Sequence, residues 1–157
     1  MNKSAETSAP ARRVPPPVVF LAALVAMGAL HELAPGPEVV SEPWNQLGWV
    51  PFGLGFAVAF WVKFRFDRAG TPIRPFEKST VLVTDGLFAW SRNPVYVAMI
   101  AALAGIAVVL GTFMPLLVIP VFAWNIQRRF IEAEEPMLEE AFGDDYRAYK
   151  ARVRRWL

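Results

Sequence analysis

Two short segments of this chain carry residue types whose spacing suits the capture of a small charged ligand. In the first, Ser91-Arg92-Asn93-Pro94 closes a loop directly ahead of an apolar run. Asn is a favoured helix N-cap, and Pro at the first helical position gives up an N–H that has no partner there. The pattern predicts a helix starting at Asn93-Pro94, with its positive end and Arg92 suited to a carboxylate or phosphate. In the second, Arg128, Glu132 and Glu135 fall at i, i+4 and i+7 on one helical face. Glu134 points about 100° away, on the side of Ile131 and Leu138. One of two adjacent carboxylates can then pair with arginine while the other faces a pocket, and Pro136 is expected to bend or restart the helix. Taken singly, the plainer readings are a capped helix end with a snorkelling arginine and a solvated charged face.

The elements that must position these residues are apolar. Four stretches stand out at about 17–33, 47–62, 95–110 and 113–126, in a chain that is 55% hydrophobic with a mean hydropathy of +0.33. Each is somewhat short of the roughly 20 residues that cross about 30 Å of hydrocarbon, so flanking Trp, Lys and Arg must complete the spans. Gly111-Thr112 makes the last two a tight hairpin, with Pro115 in the first turn of the fourth helix and Pro120 kinking it. The expected fold is an all-α membrane protein of four transmembrane helices with a cytoplasmic C-terminal amphipathic helical segment. At 157 residues the chain is one domain, 14–157, behind a disordered basic tail at 1–13.

Charge placement sets the orientation. All 16 Lys and Arg lie in the tail, in the loop between the second and third stretches, or after the fourth. The loop at 31–46 holds Glu32, Glu38 and Glu42 and no cation. The positive-inside rule puts both termini and the middle loop in the cytoplasm, with the protein in the cytoplasmic (inner) membrane. Trp44, Trp49, Trp61, Trp90 and Trp124 fall near span ends as interfacial anchors. The outline also suggests a signal peptide, but Pro15-Pro16-Pro17 and the following HELAPGPEVV suit cleavage poorly, so a retained helix is expected. Without cysteine, zinc–thiolate sites and cysteine nucleophiles are excluded, and a single histidine argues against a metal centre. No nucleic-acid partner is expected.

The two polar segments together read GLFxxSRNPxY at residues 86–96 and RRxxxxEExxLxxxFGxxYxxYxxxVRRW at 128–156. This pair closely resembles the isoprenylcysteine carboxyl methyltransferase and phospholipid methyltransferase superfamily over about 80–156, and Thr71-Pro72-Ile73-Arg74-Pro75 looks like the loop preceding the motif in bacterial members. The resemblance implies S-adenosylmethionine as cofactor and methyl transfer to a lipid or other amphiphilic acceptor drawn from the bilayer. It implies a cofactor site from Val83, Gly86, Leu87, Arg92, Asn93, Pro94, Tyr96, Glu134, Glu135 and Leu138. In that site Asn93 and Arg92 would take the carboxylate, Glu134 or Glu135 the ammonium or a ribose hydroxyl, and Val83, Leu87, Leu138 and Tyr96 would wall the adenine. Phe142, Tyr146 and Tyr149 would form a lid. Where the family has Arg-His-Pro this chain has Arg92-Asn93-Pro94, and an amide cannot act as a base. Carboxylate or thiolate acceptors need no catalytic base; for an ammonium acceptor, Glu132 and Glu135 are the candidates.

Two other readings compete. A proton-coupled transporter should carry a carboxylate deep in a span, and no span has one. A non-catalytic membrane scaffold would use both motifs only to anchor helices. The small residues of the third stretch (Ala98, Ala101, Ala102, Ala104, Gly105, Ala107) suit close packing or, alternatively, a lateral groove between helices two and three that admits an amphiphile near Tyr96.

Overall fold

A computed structural model describes residues 14–69 and 81–157. The basic tail and the Thr71–Pro75 segment lie outside the described residues. Within them the regular elements are helices, with one isolated bridge between Glu38 and Thr112. Helix α1 spans Pro16–Leu33 and starts on prolines, whose missing N–H groups the first turn does not need. A 3₁₀ turn, Trp44–Gly48, leads into α2, Trp49–Ala69. Helix α2 therefore outruns the apolar stretch that ended at residue 62. Its polar extension is held by a Lys63–Asp67 pair at 2.7 Å and by the Arg68 guanidinium 4.2 Å from the centre of the Phe64 ring.

Helix α3, Pro94–Leu110, has Pro94 at its first position and ends on Gly111 at φ 70°, a left-handed cap that favours glycine. The fourth apolar stretch is broken into α4, Phe113–Leu116, and α5, Val118–Ile126. The interruption at Leu117 is where the Pro120 ring opposes the carbonyl of Leu116. A π-helical turn, Gln127–Ile131, follows, with the Glu132 N–H reaching Gln127 O five residues back, and leads into α6, Glu132–Arg152. The expected restart at Pro136 does not occur. In the early turns of α6 that proline removes only the bond to Glu132 O. The departures from α geometry sit instead at the π turn and at Gly143, whose φ of 53° and ψ of −122° only glycine adopts readily.

Packing centres on α3. Its small residues meet those leading into and lying on α2: a Cβ on Gly105 would fall 2.5 Å from Gly48 O, and one on Gly55 2.6 Å from Ala98 O. Ala98 and Ala102 are 5% and 2% exposed. Of the two readings of these small residues, close packing is what is seen, with backbone-to-backbone contact closing the seam. Met27, Leu103, Ile126 and Ile131 fill the main core, while Tyr146, Tyr149 and Val153 form a second cluster with Leu82, Phe88, Leu138 and Phe142. At the far end of α3, Val39 N–H and Val40 N–H both donate to Gly111 O, and Phe113 N–H donates to Pro37 O.

Large apolar side chains face outward along α1, α2 and α5: Leu21, Val25, Leu54, Phe60, Val121 and Trp124. Such a belt suits a bilayer, not water. Pro16–Leu33 and Trp44–Arg68 are long and apolar enough to cross a membrane by length and composition; α3 is apolar but has 17 residues.

Candidate active site

A cavity of about 430 Å³ opens where the start of α1, the end of α2, residues 81–96 and the first turns of α6 converge. That volume lies in the roughly 300–1,000 Å³ range of small-molecule sites. Helices α1 and α2 contribute apolar side chains to its lining, Pro16, Pro17, Val62 and Phe66. Its polar groups are Arg92, Asn93, Tyr96, Glu134 and Glu135, and Val83, Pro94 and Leu138 line it as well.

The phase of α6 decides which carboxylate does what. Glu134 turns to the cavity, and the Tyr96 hydroxyl donates to its Oε1 at 2.9 Å. Burial pushes the Glu134 carboxyl up to about 7, against a smaller downward pull from that hydrogen bond. Glu135 also lines the cavity, but its carboxylate is taken up in an ion triad. Arg155 clasps it with two bonds, Nε to Oε1 at 3.0 Å and Nη2 to Oε2 at 2.6 Å, and Arg92 Nη2 lies 3.0 Å from Oε1. Glu132 lies outside the cavity lining, paired with Arg128 at 3.2 Å and accepting from Gln127. The arginine that shares a face with Glu132 is thus not the one that holds Glu135.

Asn93 occupies the N-cap position of α3, but its side chain makes no cap bond. Its Nδ2 instead donates to Arg155 O at 2.9 Å, Arg92 N–H donates to Arg154 O at 2.9 Å, and Ser91 Oγ receives the Asn93 N–H at 3.1 Å. The chain after α6 folds back and takes one of the two Asn93 amide N–H donors, while Asn93 still lines the cavity. The same fold-back gives the VRRW segment a role that its sequence did not reveal. Arg92 keeps an unmet donor: its Nε is buried without a hydrogen-bond partner among the described residues.

Gly86 and Leu87 are absent from the lining. Gly86 has φ 59° and packs so closely on Trp61 that a Cβ would lie 2.7 Å from the indole, so it shapes the turn. Arg65 pairs with Asp85 on that turn and holds its carboxyl below the usual range. Tyr146 and Tyr149 line the cavity from the second half of α6, and the Tyr149 hydroxyl donates to Phe88 O at 2.7 Å. Burial raises both phenols to about 12. Phe142 packs behind them. The apolar share of the lining that α1 and α2 supply was not anticipated; no spacing in the sequence brings Pro16 and Pro17 to the same cavity as Val62 and Phe66.

Comparison with known proteins agrees with this architecture. The chain is 36% identical over 76 residues to protein-S-isoprenylcysteine O-methyltransferase of Schizosaccharomyces pombe, covering 48% of this chain and 32% of that protein. It is 38% identical over 72 residues to the Mus musculus protein of the same name, covering 46% of this chain and 25% of that one. It superposes on the eukaryotic intramembrane Ras methyltransferase, isoprenylcysteine carboxyl methyltransferase, with a TM-score of 0.60 and 25% identity, over 88% of this chain and 47% of the other. It therefore spans about a third or less of these curated relatives and about half of the solved chain. The phospholipid methyltransferase family model matches residues 44–145, well over half of the sequence. The chain belongs to that family, within the isoprenylcysteine/phospholipid methyltransferase superfamily.

Proposed function

We propose that the protein transfers a methyl group from S-adenosylmethionine to a lipophilic or amphiphilic acceptor at the cytoplasmic face of the membrane. The observation that carries this reading is a single cavity whose lining combines polar groups at Arg92, Tyr96 and Glu134 with apolar side chains from α1 and α2. The donor set fits the cofactor. The unmet Arg92 Nε matches a carboxylate, Glu134 suits an ammonium or a ribose hydroxyl, and Val83, Leu138 and Tyr96 offer flat apolar walls to adenine. The apolar side chains from α1 and α2 would take the acceptor's chain.

S-adenosylmethionine supplies an electrophilic methyl on a sulfonium. This chain's residues have then to align the partners and keep water away, and Tyr146 and Tyr149 cover the cavity for the second task. A thiolate or carboxylate acceptor needs no base. An ammonium acceptor needs its proton removed, and that falls to Glu134, since Glu132 lies outside the cavity and Glu135 is held by two arginines.

The proposed topology has four crossings, by α1, α2, α3 and the α4–α5 unit, with both termini cytoplasmic. The cation distribution supports it. Reporter fusions after residues 40 and 157 should report opposite compartments; a shared compartment would contradict the map. For the activity, detergent-purified protein is titrated with S-adenosylhomocysteine and assayed for radiolabelled methyl transfer into a lipid extract. Micromolar binding with transfer is the expected result. Absence of binding would favour the scaffold reading, in which the ion triad only staples helices.

A further inference from the structure

We propose that Arg155, in the segment after α6, is a positioning residue that acts through Glu135 on Arg92. The inference rests on the cofactor reading above and adds to it a residue that does not line the cavity. Its geometry is specific. Arg155 grips both oxygens of Glu135 fork to fork, while Arg92 reaches only Oε1, at 3.0 Å. Bidentate pairs of this kind are directional as well as strong. Glu135 and Arg92 are nearly closed off from solvent, with side chains 10% and 9% exposed, so neither partner can be replaced by water at little cost.

Two consequences follow from the arrangement. Two guanidinium groups share one carboxylate, which leaves the triad with a net positive charge in the wall that Arg92 contributes to the cavity. Occupation of both Glu135 oxygens by Arg155 also restricts Arg92 to a single-point contact. Without Arg155 the buried carboxylate would be free to take Arg92 bidentately, turning its donors away from the cavity and cancelling the excess charge. Arg155 thus keeps Arg92 available to an anionic group. Hydrogen bonds of the surrounding segment hold it in place: Arg92 N–H donates to Arg154 O, the Asn93 side chain to Arg155 O, and the Trp156 indole to the Gln127 side chain.

The test compares two ligands that differ at the end Arg92 would recognise. S-adenosylhomocysteine carries the amino-acid carboxylate; 5′-methylthioadenosine carries the adenosine and sulfur without it. Both are titrated into the full-length parent, Arg155→Gln and Arg155→Lys in detergent, with thermal unfolding followed in parallel. Arg155→Gln should weaken S-adenosylhomocysteine about tenfold or more while changing methylthioadenosine by less than about twofold. Arg155→Lys, which keeps the charge but not the fork, should show a smaller loss confined to the same ligand. Should Arg155→Gln fail to fold, the lysine variant alone decides the matter by the same selectivity. Equal weakening of both ligands would reduce Arg155 to a structural clamp and overturn the proposal, as would unchanged affinity in both variants. A parent that binds neither ligand would overturn the cofactor reading, and this inference with it.

Discussion

The Tyr96 hydroxyl donates to Glu134 at 2.9 Å, tying the first turn of α3 to the first turn of α6 across the floor of the cavity. The bond fixes the Glu134 carboxyl without neutralising it, since tyrosine supplies a proton and no charge. Adjacent Glu135 has two arginines, and among the described residues Glu134 has no ion-pair partner. Glu134 is therefore the carboxylate in the cavity with charge to offer a ligand.

Replacing Glu134 with Gln should weaken S-adenosylhomocysteine at least tenfold, about 1.4 kcal/mol. Tyr96→Phe removes a positioning bond and no charge, so its effect should be smaller, about 0.5–1.5 kcal/mol. Calorimetric titration of both variants measures the difference. A Gln variant that binds like the parent would remove Glu134 from the cofactor site.

The pH response follows from the same carboxyl, raised from its ordinary 4.5 to about 7. Raising an acid's folded-state value favours the folded protein when that acid is protonated. The contribution is present in full below about 4.5 and is lost as pH rises through about 7. Its upper bound is about 3 kcal/mol. The ligand-free parent should melt at progressively lower temperature as pH goes from about 5 to 8, with a flatter profile for Glu134→Gln. Affinity should move the opposite way, because a cationic ligand group needs the carboxylate. Binding should weaken as pH falls below about 7, by up to about tenfold per unit, and this dependence should vanish in the Gln variant. Parallel profiles for parent and variant would contradict both expectations.

The motif that the chain resembles has histidine where this chain has Asn93, whose Nδ2 donates to Arg155 O. The position needs a donor N–H at the start of α3, which an imidazole can also give. Asn93→Ala should lose about 1 kcal/mol of stability, whereas Asn93→His should melt within a few degrees of the parent. The check is thermal unfolding in detergent, with methyl transfer measured alongside. A histidine variant as unstable as the alanine one would mean that the amide's shape, and not its N–H, is what the site requires.

What could be read from the sequence divides along the line between local and long-range causes. Pro94 at the head of α3, the break before Pro120 and the different partners of Glu134 and Glu135 all follow from helix geometry within a few residues. The partner of Glu135 did not. Helical spacing favoured Arg128, but the bond is made by Arg92 and Arg155, which lie 43 residues upstream and 20 downstream and meet it only because the chain after α6 folds back. The cavity likewise needs α1, α2 and α6 to converge, which no single stretch encodes. The span estimate at 47–62 stopped short because hydropathy sees the charges of Lys63, Arg65 and Asp67, whereas the helix continues on their pairing.

The small residues of α3 admitted two readings, packing or a groove, and Gly105 separates them experimentally. A methyl added there would meet Gly48 O at 2.5 Å and the Phe52 backbone nitrogen at 2.8 Å, and backbone on both sides cannot yield as a flexible side chain would. Gly53, one turn further along α2, has nothing within 4 Å of the same added atom. Gly105→Ala should therefore cost about 1–3 kcal/mol, lowering thermal stability, ligand affinity and turnover together as α2 and α3 are forced apart. Gly53→Ala should be neutral or slightly stabilising by helix propensity. Ala98→Phe and Ala102→Phe belong with Gly105→Ala, since both alanines face Gly55 across the seam. If any of the three lost acceptor turnover while keeping ligand affinity and melting temperature, the seam would have to open in solution, and a lateral path between α2 and α3 would return as the acceptor's route.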